Sequence, residues 1–295
     1  MRAWWALLAV STVAVVVSVV VLTGETPGLT ELRMTGRMTD PALRESSAAA
    51  RGLANPGVLW TVDDSGNPPH LFAVDTTGEI RAVVVVRGAT NRDWEALAVT
   101  PCDSGSCLLI GDVGDNPRRR EALVVYRIAE PPLGQRRELE LPLIDSLTIT
   151  LPDGPRDIEA MAVSDRGLAL FSKTPLGTSE GYWIPDTAWR TGQATALAIG
   201  RWSMGGMVGR GRMVTDAALS ADGARLALRS YTRVAIFERS GDAPVPDRLV
   251  ARCTIGGREP IGEGVAWWDD QTLAFTSESG LGRAGPIHLG RCDAR

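Results

Sequence analysis

Five carboxylates recur along the chain, each followed by a short run of small and apolar residues. The segments are RESSAAA (44–50), DWEALAV (93–99), DIEAMAV (157–163), VTDAALS (214–220) and GEGVAWW (262–268). Their acids, Glu45, Glu95, Glu159, Asp216 and Glu263, stand 50, 64, 57 and 47 residues apart, within or a little above the range expected of propeller blades. In a propeller the innermost strand of each blade lines a central channel, so one equivalent residue per blade forms a ring. A ring of carboxylates stays ionised only where a cation neutralises it or water screens it. The chemistry expected of these five residues is therefore the binding of a hard, oxygen-preferring cation, with Ca²⁺ first in line. The competing expectation is that backbone N–H groups or channel water satisfy the carboxylates, as buried polar groups require.

The elements that position these acids are short strands. The third unit reads EAMAV (159–163), GLALFS (167–172), GYWIP (181–185) and TALAIGRW (195–202), and the fourth follows the same order through DAALS, RLALRS, RVAIFE and RLVARCT. Apolar stretches alternating with Gly, Pro, Asp and Ser are what a four-stranded blade requires. The fifth unit ends without an outer strand, and residues 31–38 are expected to supply it and close the ring, which removes two exposed sheet edges. The fold class is all-β, a five-bladed β-propeller, with six blades as the alternative because the longer intervals leave room for a degenerate one.

In such a blade the end of the second strand and the loop after it share a face with the acids. Those loops are WTVDDSGN (60–67), GDVGDN (111–116), SKTPLG (172–177), RSYTR (229–233) and TSESGLGR (276–283). Asp63, Asp64, Asp112, Lys173, Arg229 and Glu278 are thereby expected at the channel mouth as ligand-binding residues, together with Asp115 and Asn116. Mixed charge around a concave opening suits an anionic ligand beside a metal. Turn formation is the plainer reason for the same Asp, Asn, Gly and Ser residues. The arginines at 118–120 are expected in a solvated loop. Trp94, Trp202, Trp267 and Trp268 are expected in interblade packing. The glycine-rich GGMVGRGR (205–212) lacks the strand-to-helix setting of a dinucleotide loop.

The chain has 295 residues, 44% of them apolar, and a net charge of −4, which fits one large domain and gives no reason to expect nucleic-acid binding. Residues 3–22 form an apolar run long enough to cross a hydrocarbon core of ~30 Å. The expected division is a membrane anchor or cleaved signal over 1–24, a linker with the ring-closing strand over 25–43, and the propeller over 44–295. Arg2 before the run and Glu25 after it place the remainder outside the cytoplasm, on a single-pass anchor or secreted after cleavage. Four cysteines agree with export. Cys102 and Cys107 bracket a tight hairpin and are expected to bridge, which leaves Cys253 to pair with Cys292.

The segments NPGVLWTVDDSG (55–66), NRDWEALAV (91–99), LLIGDVGDN (108–116) and VVYRIAEP (124–131) resemble a family of exported bacterial β-propeller proteins over roughly residues 44–290. More remotely, the centre is similar to the calcium-dependent soluble apyrases and to phytase-like esterase propellers. The resemblance implies a propeller, export and axial acids that bind Ca²⁺, and carries no full catalytic motif. Two functions are then expected. One is a membrane-tethered extracytoplasmic binding or scaffold module with Ca²⁺ in the channel and a small anionic ligand or cell-surface partner. The alternative is a metal-dependent hydrolase of phosphate or carboxylate esters.

Overall fold

In the computed structural model, which describes residues 28–103, 105–135, 137–175, 178–205, 209–280 and 282–293, the strands form five sheets around one axis. Blade 1 runs Ser46–Arg51, Val58–Asp63, His70–Asp75 and Ile80–Arg87 from the axis outward. Blade 2 is Trp94–Cys102, Gly105–Asp112, Leu123–Ala129 and Asp145–Thr150. Blade 3 is Ile158–Ser164, Gly167–Ser172, Ser179–Pro185 and Leu197–Trp202. Blade 4 is Val214–Leu219, Arg225–Ser230, Arg233–Glu238 and Arg248–Thr254. Blade 5 is Ile261–Trp267, Leu273–Glu278 and Gly285–Arg291, completed by Thr30–Met38.

The ring is closed as the sequence suggests. Thr30–Met38 lies antiparallel to Gly285–Arg291, pairing Arg37 with Pro286 and Thr30 with Arg291. The six-blade alternative falls, and the surplus residues of the long intervals have another use. Glu138–Pro142 leaves blade 2 to add a parallel fifth strand to the edge of blade 1, against Ile80–Arg87. Gln193–Thr195 does the same for blade 2, against Asp145–Thr150. Each added strand covers an edge whose N–H and C=O groups would otherwise face solvent.

Packing between blades fills the gaps left by sheet twist. Trp60 and Trp94 lie fully buried between blades 1 and 2, and Phe171 meets Trp202 edge-on in the core between blades 3 and 4, ring centroids 5.1 Å apart. Trp267 and Trp268, though half-buried, pack against the cores on either side of blade 5, and Trp267 Nε1 donates to Ala218 O of blade 4 at 3.1 Å. Both disulfides form. Cys102–Cys107 staples the first hairpin of blade 2, and Cys253–Cys292 ties the outer strand of blade 4 to the C-terminal tail. No helix among the described residues is long and apolar enough to cross a membrane, and the expected anchor at 1–24 lies outside them.

One buried carboxylate fastens blade 1 to blade 2. Glu130 accepts hydrogen bonds from Leu53 N–H, Ala54 N–H, Asn55 Nδ2, Trp60 Nε1 and Ser106 Oγ at 2.7–3.1 Å. Burial alone would raise its pKa, but the donors at Ala54, Ser106, Trp60 and Asn55 outweigh it and hold the carboxyl below its usual range. A depressed carboxyl stabilises the fold above the unfolded-state value of about 4.3 and loses that contribution as pH falls through its folded value. Glu130→Gln is expected to destabilise by about 1–3 kcal/mol at pH 7, through donors left unpaired. In urea melts the gap to wild type should narrow below about pH 4; a gap independent of pH would reject the ionised staple.

Candidate functional site at the acidic end of the axis

Each inner strand starts at one end of the axis, and the second strand of the blade returns there. At that end every inner pair carries a β-bulge, where the register slips between Ser46 and Ala48, Trp94 and Ala96, Ile158 and Ala160, Val214 and Asp216, and Gly262 and Val265. A bulge leaves one residue outside the ladder and re-aims its side chain. Those residues are Ser47, Glu95, Glu159 and Thr215, with Glu263 and Gly264 sharing the slip in blade 5.

The five spaced acids therefore do not form one ring. Glu95, Glu159 and Glu263 occupy equivalent, buried positions. Glu45 precedes the bulge by two residues and is exposed, with Asn67 Nδ2 donating to it at 2.8 Å. Asp216 follows the bulge by one residue, which turns its carboxylate into the protein. It accepts from Ala217 N–H at 2.8 Å, from Val265 N–H of blade 5 at 2.7 Å and from Ala49 N–H of blade 1 at 3.1 Å. A cation shared by all five acids is not the arrangement observed. The two bulge positions without a carboxylate hold hydroxyls: Ser47 donates to Trp94 O at 2.8 Å and Thr215 to Glu263 O at 2.9 Å, each across a blade boundary.

Among the described residues, one group of metal-competent side chains converges: Asp64, Asp93 and Glu95, with ligand oxygens all within 4.8 Å of one another. Only Glu95 belongs to the spaced set. Asp93 went unread in the sequence, although Asp-Trp-Glu puts two acids at the two-residue spacing that shares a strand face. Gly114 of GDVGDN is the back wall. A Cβ there would lie 2.5 Å from Asp93 Cγ and 2.7 Å from Glu95 Cγ, so a side chain at this position would displace the two carboxylates from where they stand.

The surrounding charges are dense. Glu95 is held well above the carboxylate range by burial, then by the negative charges of Glu159 and Asp64. Burial does the same to Glu263, with Glu278 and Glu159 adding to it. Asp93 is pushed up to about 6 by burial and by Asp64, Asp63 to about 6 chiefly by burial, and Glu278 to about 7 by burial and then by Asp64 and Glu45. Lys173 sits among them, mostly buried, its Nζ donating to Glu159 Oε1 at 2.6 Å. Burial opposes its charge, yet Glu159, Tyr231 and Glu95 prevail and raise its pKa above the ordinary lysine range. The ring of Tyr231 has Lys173 Nζ at 5.9 Å and the exposed Arg210 guanidinium at 4.4 Å from its centroid.

The remaining expected ligand-binding residues are engaged in structure. Arg229 is fully buried, ion-paired with Glu259 and donating to Thr276 O at 2.9 Å. Glu259 also meets His288 Nδ1 at 3.2 Å. Asp112 is paired with Arg120 at 2.8 Å, and Asp115 accepts the Arg120 N–H at 2.7 Å. Arg120 is thus buried, not solvated with its neighbours in the arginine run; it also donates to Gly114 O at 2.9 Å and so braces the back wall.

No family model and no curated protein matches the chain. Among solved structures it is similar to the PQQ-bound aldose sugar dehydrogenase of Streptomyces coelicolor, with 12% identity, a TM-score of 0.52, and coverage of 91% of this chain and 100% of that one. A glucose dehydrogenase-like putative oxidoreductase of Thermus thermophilus follows at 12% identity and a TM-score of 0.48, covering 89% of this chain and 100% of that one. The first of these likenesses shows the propeller fold, and both neighbours are oxidoreductases by description. The raised Asp93 is directly measurable: carboxylate NMR of the metal-free protein should show a titration near pH 6 that moves downward in Asp64→Asn, where the neighbouring charge is gone. An unchanged midpoint would mean that Asp64 does not act on Asp93.

Proposed function

We propose that the chain is an exported, membrane-attached propeller that binds a divalent, oxygen-preferring cation at its acidic end and, beside that cation, a small anionic ligand. The carrying observation is the convergence of Asp64, Asp93 and Glu95 against Gly114, where a side chain would displace Asp93 and Glu95. Oxygen-only donors of this kind suit Ca²⁺. Asp93 also offers its backbone to the same loop, accepting from Val113 N–H and Gly114 N–H at 3.1 Å, so the donors are held before a cation arrives. Lys173 and Arg210, gathered on Tyr231, are the cationic groups available to the anion. Two disulfides support an oxidising compartment, and the apolar run at 3–22 supports attachment to a membrane.

The activity named for the Streptomyces neighbour, aldose oxidation with PQQ, is a second reading that the fold and the cation-competent cluster together raise. PQQ is a tricarboxylate, and the described cations near the cluster are few, so the smaller anion is preferred. Dye reduction with an aldose, PQQ and Ca²⁺ decides between them, and hydrolysis of phosphate or carboxylate esters is scored alongside. The cation itself is tested by thermal melts of the full chain. Ca²⁺ at about 100-fold its Kd should stabilise by about 2.7 kcal/mol, a rise of roughly 5 °C in Tm. Gly114→Ala and Asp93→Asn should each abolish most of that rise. A Ca²⁺ response that is absent in wild type, or intact in both variants, would overturn the site.

A further inference from the structure

The end of the axis opposite the carboxylates is hollow. A cavity of about 470 Å³ opens there, bounded by the later halves of all five inner strands. Its wall is alanine in every blade, through Ala50, Ala98, Ala162, Ala218 and Ala266. Five one-carbon side chains at one level leave the space that larger residues would fill. A second cavity of about 610 Å³, between blades 2 and 3, shares Thr100, Pro101, Val163, Ser164 and Asp165 with the first. The two make one elongated recess, running from the axis past Asp165 to the indole of Trp189. Both volumes fall in the range of small-molecule sites.

The recess is acidic along its whole length. Asp222, Asp269 and Asp270 stand at the axial part, Asp103 and Asp186 at the outer part, and Asp165 at the joint. Among the described residues lining it, the cations are Arg51 and Arg127. Arg127 is already engaged: its Nε donates to Asp145 Oδ1 at 2.8 Å, and its guanidinium lies 4.2 Å from the Trp189 ring centroid. Between the carboxylates the wall is aliphatic, through the alanines, Val99, Pro101 and Val163. A complementary ligand is long and narrow, with positive charges at intervals and aliphatic carbon between them.

We propose that this recess is a binding site for linear aliphatic polyamines. Protonated amines would pair with the spaced carboxylates in charge-assisted hydrogen bonds, and the methylene spacers would cover the alanine, valine and proline wall. The recess is distinct from the acidic end in position and in chemistry. That end offers converging carboxylates backed by a lysine, and this one offers separated carboxylates with apolar ground between.

The test is calorimetric titration of spermidine into the full chain with Ca²⁺ saturating, so that the opposite end is occupied. Binding of one spermidine per chain is expected, at least tenfold weaker in Asp165→Asn and in Ala98→Leu, and absent for an uncharged glycol of the same length. Asp165 is exposed on a turn, away from the cores, whereas Ala98 packs against the core between blades 2 and 3, so the melting temperature of Ala98→Leu is measured alongside. The site is overturned if spermidine does not bind, or if Asp165→Asn and Ala98→Leu bind it as wild type does. Loss of binding in Asp93→Asn, with Asp165→Asn unaffected, would place the amine at the acidic end and overturn it equally.

Discussion

The carboxylate of Asp216 is the interaction on which the arrangement at the axis depends. It belongs to blade 4 and accepts the N–H of Val265 in blade 5 and of Ala49 in blade 1. Three inner strands are thereby held by one side chain where they come closest. Buried carboxylates are costly unless hydrogen-bonded. Here burial raises the pKa well above the ordinary value, against the pull of Val265, Ala49 and Ala217 N–H groups and of the Arg229 charge. Gly264 belongs to the same junction. A Cβ at this position would lie 2.6 Å from Ala49 Cβ and 2.3 Å from Thr276 Oγ1, so blade 5 reaches blade 1 only through glycine.

Five-fold repetition has an electrostatic consequence. A residue type used once per blade at the bulge meets four copies of itself on the axis, and like charges in so small a volume oppose one another. The chain uses carboxylates at three of these positions and hydroxyls at the other two, Ser47 and Thr215, which bond to carbonyls of the next blade. Lys173 neutralises part of what remains, from within the cluster. Charge concentrates on the side of blades 1 to 3, where Asp64 and Asp93 add to Glu95 and Glu159. Asp216, one residue further along, serves the opposite purpose of holding blades together. The five bulges and the raised carboxylates lie together at this end.

The fold was legible because its signals are local. Short strands, turn residues and acids at blade spacing identify a propeller, an unfinished last blade points to closure by residues 31–38, and a separation of 5 residues joins Cys102 to Cys107. The parallel strands Glu138–Pro142 and Gln193–Thr195 were not legible, since their partners lie in a preceding blade and no turn connects them. The site was half legible. Glu95, Asp64, Lys173 and Glu278 lie at the end that the strand order indicated, but the bulges shift side chains by one residue, and that shift separates Asp216 from Glu159. Arg120 looks like its neighbours Arg118 and Arg119, and only the burial of Asp112 and Asp115 beside it singles it out. The burial of Arg229 likewise follows from Glu259, 30 residues away.

The clasp between Thr30–Met38 and Gly285–Arg291 joins residues 261 positions apart, as in the contact of Thr30 Oγ1 with Arg291 O. A chain made from its N-terminus presents Thr30–Met38 long before its partner strand exists. The inner strands of blades 1 to 4 can meet as they appear, but the ring has no closed form until Gly285–Arg291 is made. A chain that stops short of that strand keeps an unmated edge on Thr30–Met38, open to any other strand it meets. The molecule becomes a propeller only when Gly285–Arg291 finds Thr30–Met38.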